Sequence, residues 1–253
     1  MDRRLFLAAS LAAAVPLRVA AQVGPGARDR ALLTLARKQV ARAGAHLWRR
    51  DIAAIADFGL HSAQPRFHFV NLEGGTVRSL LVSHGSGSDP EHDGWLNAYS
   101  NLTDSWATSR GAYVTWEWYE GIYGTSMRLS GLDPDNSNVF DRAIVMHAAT
   151  YATPAHAQRW GKLGRSNGCF AIAPDELPGA LYQLGGGRLI YADTLGIGAD
   201  GERIAVPPQP PVDFAAAIAQ RREAERLAAE AEARGQDGET IDAGLPVNKP
   251  RQK

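Results

Sequence analysis

The chain carries one cysteine, Cys169, in the stretch Gly164-Arg165-Ser166-Asn167-Gly168-Cys169-Phe170, and seven histidines, at 46, 61, 68, 84, 92, 147 and 156, all of which precede it. A thiol attacks a carbonyl carbon as the thiolate, and a nearby histidine is the usual group that takes its proton. The chemistry open to this combination is acyl transfer through a thioester. The residue order excludes an arrangement with the cysteine first and its histidine far downstream. His147 is the best base, because it ends the apolar run Ala143-Ile144-Val145-Met146, so a buried strand delivers its ring to one edge of a sheet. Cys169 follows 22 residues later and opens the next strand-like segment, through Phe170, Ala171 and Ile172. Gly168 allows close backbone approach, and the amides near Gly168 and Cys169 are candidate donors to a developing oxyanion. The competing reading of Cys169 is a small buried apolar residue, as free cysteines often are.

The other histidines are weaker candidates. His84 ends Leu80-Leu81-Val82-Ser83 and is followed by Gly85, so it is the second choice for the base, or a pocket-lining residue. His156 lies in the polar run from Ala152 to Trp160 and reads as a surface residue. His68 alternates with Phe67 and Phe69 and so faces away from them across its strand. The histidines are scattered, no HxxxH or CxxC spacing occurs, and no metal or cofactor is expected.

The elements that must position these groups are mostly strands. Asp51 to Phe58, Arg66 to Leu72 and Thr76 to Gly85 read as β, the last two joined by the turn Glu73-Gly74-Gly75. Further strands are expected at Gly111 to Tyr119, Ser126 to Leu132, Arg142 to Ala149, Gly168 to Ala173 and Arg188 to Asp193. Asp175 to Leu184 reads as a short helix capped by Asp175, with Pro178 in its first turn and Gly185 to Gly187 ending it. The aromatics Trp106, Tyr113, Trp116, Trp118 and Tyr119 offer a ligand-binding surface, but alternation along a strand more simply packs them on its two faces. A periodic apolar stripe from Arg28 to Ala45 predicts an amphipathic helix braced on the domain.

With 253 residues and 27 basic against 27 acidic side chains, the chain suits one main domain, and its charge balance argues for no nucleic-acid partner. Residues 1–21 read as an export signal cut after Ala21, with Arg3-Arg4 resembling a twin-arginine motif, which places the protein in the periplasm or cell envelope. After it we expect an N-terminal helix in 22–50, the main domain in 51–195, a proline-rich linker in 196–212, a charged helix in 213–234 and a disordered tail in 235–253. The pairs Arg226/Glu230 and Glu230/Arg234 support the charged helix. Its alanine face offers little area, so it is solvated or contacts a protein partner.

Met146-His147-Ala148-Ala149-Thr150-Tyr151 followed by Gly164 to Ile172 resembles the catalytic signature of the murein L,D-transpeptidases, the YkuD-like family. Thr108 to Tyr113 resembles the family's threonine-rich turn and glycine-aromatic strand. Val82 to Ser88 and Arg128 to Asp133 are similar to its murein L,D-transpeptidase catalytic domain branch. The resemblance implies an α+β fold, mainly β, a sandwich or barrel with short helices flanked here by N- and C-terminal helices. It further implies Cys169 as nucleophile, His147 as base, the Ala148 carbonyl as orienter of the imidazole and the Gly168 backbone in the oxyanion hole. Ser166, Asn167, Arg165, His84, Gly85 and Arg110 with Ser109 would meet substrate. The implied substrates are peptidoglycan stem peptides, donor and acceptor, with peripheral association with the cell wall. Asn167 stands where the family often has histidine and Ala171 where it often has arginine or asparagine, which leaves Arg165 or Arg142 to hold a substrate carboxylate. The activity implied is formation of a 3→3 cross-link. Hydrolysis by an L,D-carboxypeptidase, attachment to a protein amine, or wall binding without catalysis are the alternatives.

Overall fold

The structure, a computed structural model, describes residues 25–233, so the expected leader and C-terminal tail lie outside the described residues. Its eight strands are β1 (Ile52–Asp57), β2 (Phe67–Asn71), β3 (Thr76–Leu80), β4 (Gly111–Gly121), β5 (Gly124–Gly131), β6 (Val145–Ala148), β7 (Phe170–Ile172) and β8 (Leu189–Asp193). All eight coincide with strand-like runs in the sequence. They form one sheet in the order β3-β2-β1-β8-β4-β5-β6-β7. Beyond β3 the chain bridges back to Ala171 of β7 through Ser83, so the sheet is nearly closed on itself. The fold is α+β and mainly β.

Helix α1 (Ala27–Ala43) lays Leu32, Leu33, Ala36 and Val40 across Ile55, Val70, Val114 and Leu189 on the outside of the sheet, which makes it the brace its stripe predicts. Inside, Phe58, Phe67, Tyr113, Met127, Met146, Phe170 and Ile190 form the main core, closed by α3 (Leu177–Leu184). Asp175 does not cap α3: the residue before it is Glu176, whose carboxylate reaches out to Arg78 at 2.8 Å. Helix α2 (Pro154–Trp160), capped by the Thr153 side chain, occupies the polar run around His156. Its seven residues lack an apolar stripe, so periodicity gives no sign of it.

The fold continues past β8. Asp57, fully buried, accepts four backbone amides: Gly59 and Leu195 at 3.0 Å, Gly196 at 2.7 Å and Ile197 at 2.8 Å. The segment then turns back through Ile204 N–H to Gly196 O at 2.8 Å. Helix α4 (Phe214–Ala233) follows the prolines. It is mostly exposed, yet Arg222 pairs with Asp104 at 2.6 Å and the Arg221 guanidinium lies 3.7 Å over the Trp106 ring. Arg226 pairs with Glu223 and Glu230, while Arg234 lies outside the described residues. Among the described residues no helix is long and apolar enough to cross a membrane.

Removing the Asp57 carboxylate strands four buried amides, so Asp57→Ala is expected to cost about 3–5 kcal/mol, lowering the Tm by roughly 10 °C. Glu176→Ala, which breaks an exposed ion pair, should change it by no more than about 2 °C. Calorimetry of the two variants checks the contrast.

Candidate active site

Strands β6 and β7 run parallel, with Met146 beside Phe170 and His147 beside Ala171. Met146, Phe170 and Ile172 face the core. Alternation therefore turns His147 and Ala171 to the other face, and Cys169, two residues before Ala171, with them. The spacing of 22 in the sequence thus becomes a shared face at one end of the sheet.

The imidazole is held in one orientation. Its Nδ1–H donates to the Ala148 carbonyl at 2.9 Å, which leaves the Nε2 lone pair as the basic site. Tyr123, from the turn between β4 and β5, stacks on the ring at 4.6 Å and 20°. The thiol lies against Ala143 O, with Sγ 3.9 Å away. Burial pushes its pKa up to about 11, against the opposing pull of the Val145 amide and the Arg142 charge. Burial also lowers His147, partly offset by its bond to Ala148 O. Burial thus favours the uncharged thiol and the uncharged imidazole.

The cysteine loop is built for close approach. Ser166 Oγ donates to Cys169 O at 2.7 Å and accepts the Gly168 amide at 3.2 Å, so Ser166 shapes the turn. The Gly168 amide, expected from the sequence to await an oxyanion, is already engaged. Gly168 has φ +110°, and a Cβ there would stand 2.6 Å from Ala107 O and 2.7 Å from Ile144 Cδ1, so only glycine fits. Asn167 is exposed at the tip of the turn.

Several expected substrate contacts lie elsewhere. His84 is not in the cleft: Arg66 Nη2 donates to its Nδ1 at 2.7 Å and its Nε2–H donates to Asp89 at 3.1 Å. Both nitrogens are spent, the ring is 1% exposed, and burial drives its pKa down to about 4. His84 can serve neither as base nor as a substrate ligand. Its contribution is its carbonyl, which accepts the Ser166 amide at 2.9 Å. Gly85 lies behind the loop rather than before it, where an added Cβ would come within 2.8 Å of the Gly168 backbone. Arg165 donates to Asp89 O and Pro90 O. Arg110 is turned to Asp193, at 2.8 Å, and Ser109 Oγ donates to Ser100 O at 2.9 Å.

Arg142, named from the sequence only as a carboxylate holder, instead gathers neutral acceptors. It donates to Ser100 O (2.8 Å), Ser109 Oγ (2.7 Å), Ser105 Oγ (3.1 Å) and Ala107 O (2.6 Å). It thereby clamps the loop that presses on Gly168 and brings a positive charge near the thiol. Tyr123 and Tyr151, both close enough to Cys169 for a thiolate to raise their pKa values, were missed. The signal for Tyr123 was available: Ile122-Tyr123 between two glycines is an apolar pair at a hairpin tip, where polar residues are the rule. Among the described residues no group of three histidine, cysteine, aspartate or glutamate side chains is placed to hold a metal ion.

The family profile of the L,D-transpeptidase catalytic domain matches residues 27–192. No curated protein matches the sequence. Among solved structures, an L,D-transpeptidase from Mycobacterium smegmatis is 15% identical, with a TM-score of 0.36 over 56% of this chain and 58% of that one. L,D-transpeptidase 1 of Mycobacterium tuberculosis is 14% identical, with a TM-score of 0.32 over 56% of this chain and 60% of that one. The L,D-transpeptidase LdtMt1, solved in complex with imipenem, is 15% identical, with a TM-score of 0.34 over 56% and 59%. The chain thus spans less than two thirds of each of these proteins.

Two pH effects are expected. With the thiol neutral at rest, alkylation of Cys169 by iodoacetamide should rise about tenfold per pH unit between about pH 7 and 9. A plateau beginning near neutrality would show a preformed ion pair. Second, His68 and His84 are held neutral with folded pKa values of about 3 and about 4, below the ordinary 6.5. Between those values the unfolded chain binds more protons than the folded one, so stability is complete above about pH 6.5 and falls as pH drops. Urea midpoints across that window should decline, and His84→Gln should flatten the slope.

Proposed function

The chain belongs to the L,D-transpeptidase catalytic domain family, and from that premise we propose that it cross-links peptidoglycan through a thioester on Cys169 in the cell envelope. The observation that carries this reading is the imidazole of His147, fixed by Ala148 O at 2.9 Å and by the Tyr123 ring, on the same sheet face as the cysteine. His147 Nε2 takes the Sγ proton as the sulfur attacks the carbonyl between the L-centre of the third stem residue and the terminal D-alanine. The carbonyl oxygen becomes an oxyanion. The Gly168 amide, whose bond to Ser166 Oγ is long at 3.2 Å, exchanges that partner for the stronger charge-assisted one. Collapse breaks the C–N bond, and the imidazolium returns its proton to the departing D-alanine amine.

The thioester then meets the side-chain amine of a second stem. His147 accepts the amine proton, the new amide forms, and Sγ leaves to recover the thiol. Cys169 is 7% exposed and stands beside Tyr123 and Tyr151, a setting that limits water and favours the amine over hydrolysis.

Incubation of the purified protein with tetrapeptide muropeptides, followed by mass spectrometry, tests the reading. Cross-linked dimers with loss of D-alanine are expected; loss of D-alanine alone would make it a carboxypeptidase. Cys169→Ala should abolish both products, and His147→Ala should slow them about 10²–10⁴-fold. Imipenem should add its mass to wild type and not to Cys169→Ala. Unmodified wild-type protein in both assays would leave only a wall-binding role.

A further inference from the structure

The aromatics of β4 divide between two environments. Tyr113 is buried in the core, whereas Trp116 and Trp118 leave it to join Trp48 and Tyr182. These four, with Arg49 and Glu117, line a shallow cleft of about 550 Å³ beside the turn that follows α3. Trp48, Trp118 and Tyr182 are 67, 51 and 79% exposed, an unusual concentration of aromatic surface open to water.

The cleft is held in shape before anything enters it. Trp116 donates through Nε1 to Ser130 Oγ at 2.8 Å and meets Trp48 edge to face at 5.3 Å. At Gly185 an added Cβ would stand 2.5 Å from Trp118 Nε1, so the indole lies directly against the backbone of the turn. Its apolar lining is aromatic throughout, without an aliphatic side chain.

That composition suits a sugar ring. A pyranose ring presents a flat patch of weakly positive C–H bonds, which suits the negative face of an aromatic ring, and a rim of hydroxyl and acetamide groups. Arg49 supplies donors for such a rim, and Glu117, whose Oε1 accepts from Arg128 at 2.9 Å, supplies an acceptor at its other oxygen. We propose that the cleft is a saccharide subsite that holds a β-linked amino-sugar strand, the glycan from which a stem peptide hangs. The inference rests on the peptidoglycan reading above. Trp118 pairs with Met127 and Met127 with Met146, so the cleft begins two strands, about 10 Å, from the strand that carries His147, on the face from which His147 turns away. The same β4–β5 hairpin bears Trp118 and, at its tip, the Tyr123 that stacks on His147.

Titration of the full chain with the peptide-free β-1,4-linked tetramer of N-acetylglucosamine, read by tryptophan fluorescence, tests the proposal. Saturable binding is expected, weakened about tenfold in Trp118→Ala and in Tyr182→Ala. Tyr182, at 79% exposure, keeps the test valid should Trp118→Ala fail to fold. No saturable signal, or equal affinity in the folded variants, overturns the proposal. So does self-association in the ultracentrifuge that Tyr182→Ala abolishes, which would make the cleft an interface between copies. The tetramer carries no peptide, so its failure to bind leaves the thioester reading standing. Failure of imipenem to label Cys169 would strike that reading without touching the binding result.

Discussion

A guanidinium sealed from water must have its charge and its donors matched inside the protein, and Arg66 organises the centre of this one accordingly. It donates to Leu60 O at 2.8 Å, to Val82 O at 3.1 and 3.0 Å and to His84 Nδ1 at 2.7 Å, with Phe58 beneath it. Removing water from a charge costs several kcal/mol unless a counter-charge is near. Two carboxylates supply it: Asp57, and Asp89, which is reached through the imidazole of His84. Burial works to raise the Asp89 carboxyl, but its bonds from His84 and from the amides of Gly94 and Asp93 bring it below the usual range. The Asp89 carbonyl in turn takes Arg165, at the entrance to the cysteine loop. One chain of polar contacts thus runs from the core to the residues beside Cys169, each link fixed by the one behind it.

The same loop is pressed from its other side by strained backbone. Asp104, Trp106 and Ala143 all hold positive φ, at 63°, 54° and 52°, which costs each of them about 1 kcal/mol or more. These residues lie around the site: Trp106 and Ala107 carbonyls abut Gly85 and Gly168, and Ala143 O faces the thiol. Arg142 secures these turns by tying four acceptors of the 100–109 loop to the start of β6. Arg221 and Arg222 of α4 hold the same loop from outside. Three arginines hold in place a geometry that glycine alone permits at position 168.

What the sequence could convey follows from the range of each interaction. The strands were legible because alternation is local, and the adjacency of the strands at His147 and after Cys169 was legible because two consecutive strands needed only a parallel register to lie side by side. His84 was misread because a histidine at a strand end looks the same whether it faces a cleft or a buried arginine 18 residues earlier. Arg66 itself gave no sign, since sequence offers no distinction between a surface arginine and one that forms a seam. Asp57 was hidden for the same reason: its four amides come from a turn of its own strand and from residues about 140 positions away. Long-range polar satisfaction has no period, and periodicity was the instrument of the reading.

The neutral resting state of the thiol resolves the tension with which a lone cysteine begins. Keeping Cys169 protonated at pH 7 against a pKa near 11 makes the thiolate dearer by about 5 kcal/mol. That is a handicap to a nucleophile that must wait as an anion. It is a safeguard for one that is ionised only as it reacts, because oxidants also attack the thiolate. The elements around the sulfur suit the second case. The Val145 amide and the Arg142 charge favour the sulfur anion, yet burial outweighs them. In the proposed mechanism His147 receives the proton only as a substrate carbonyl arrives to share the charge, so activation is coupled to occupancy of the site, and the burial that makes Cys169 resemble a core residue is the same property that would make it a selective one.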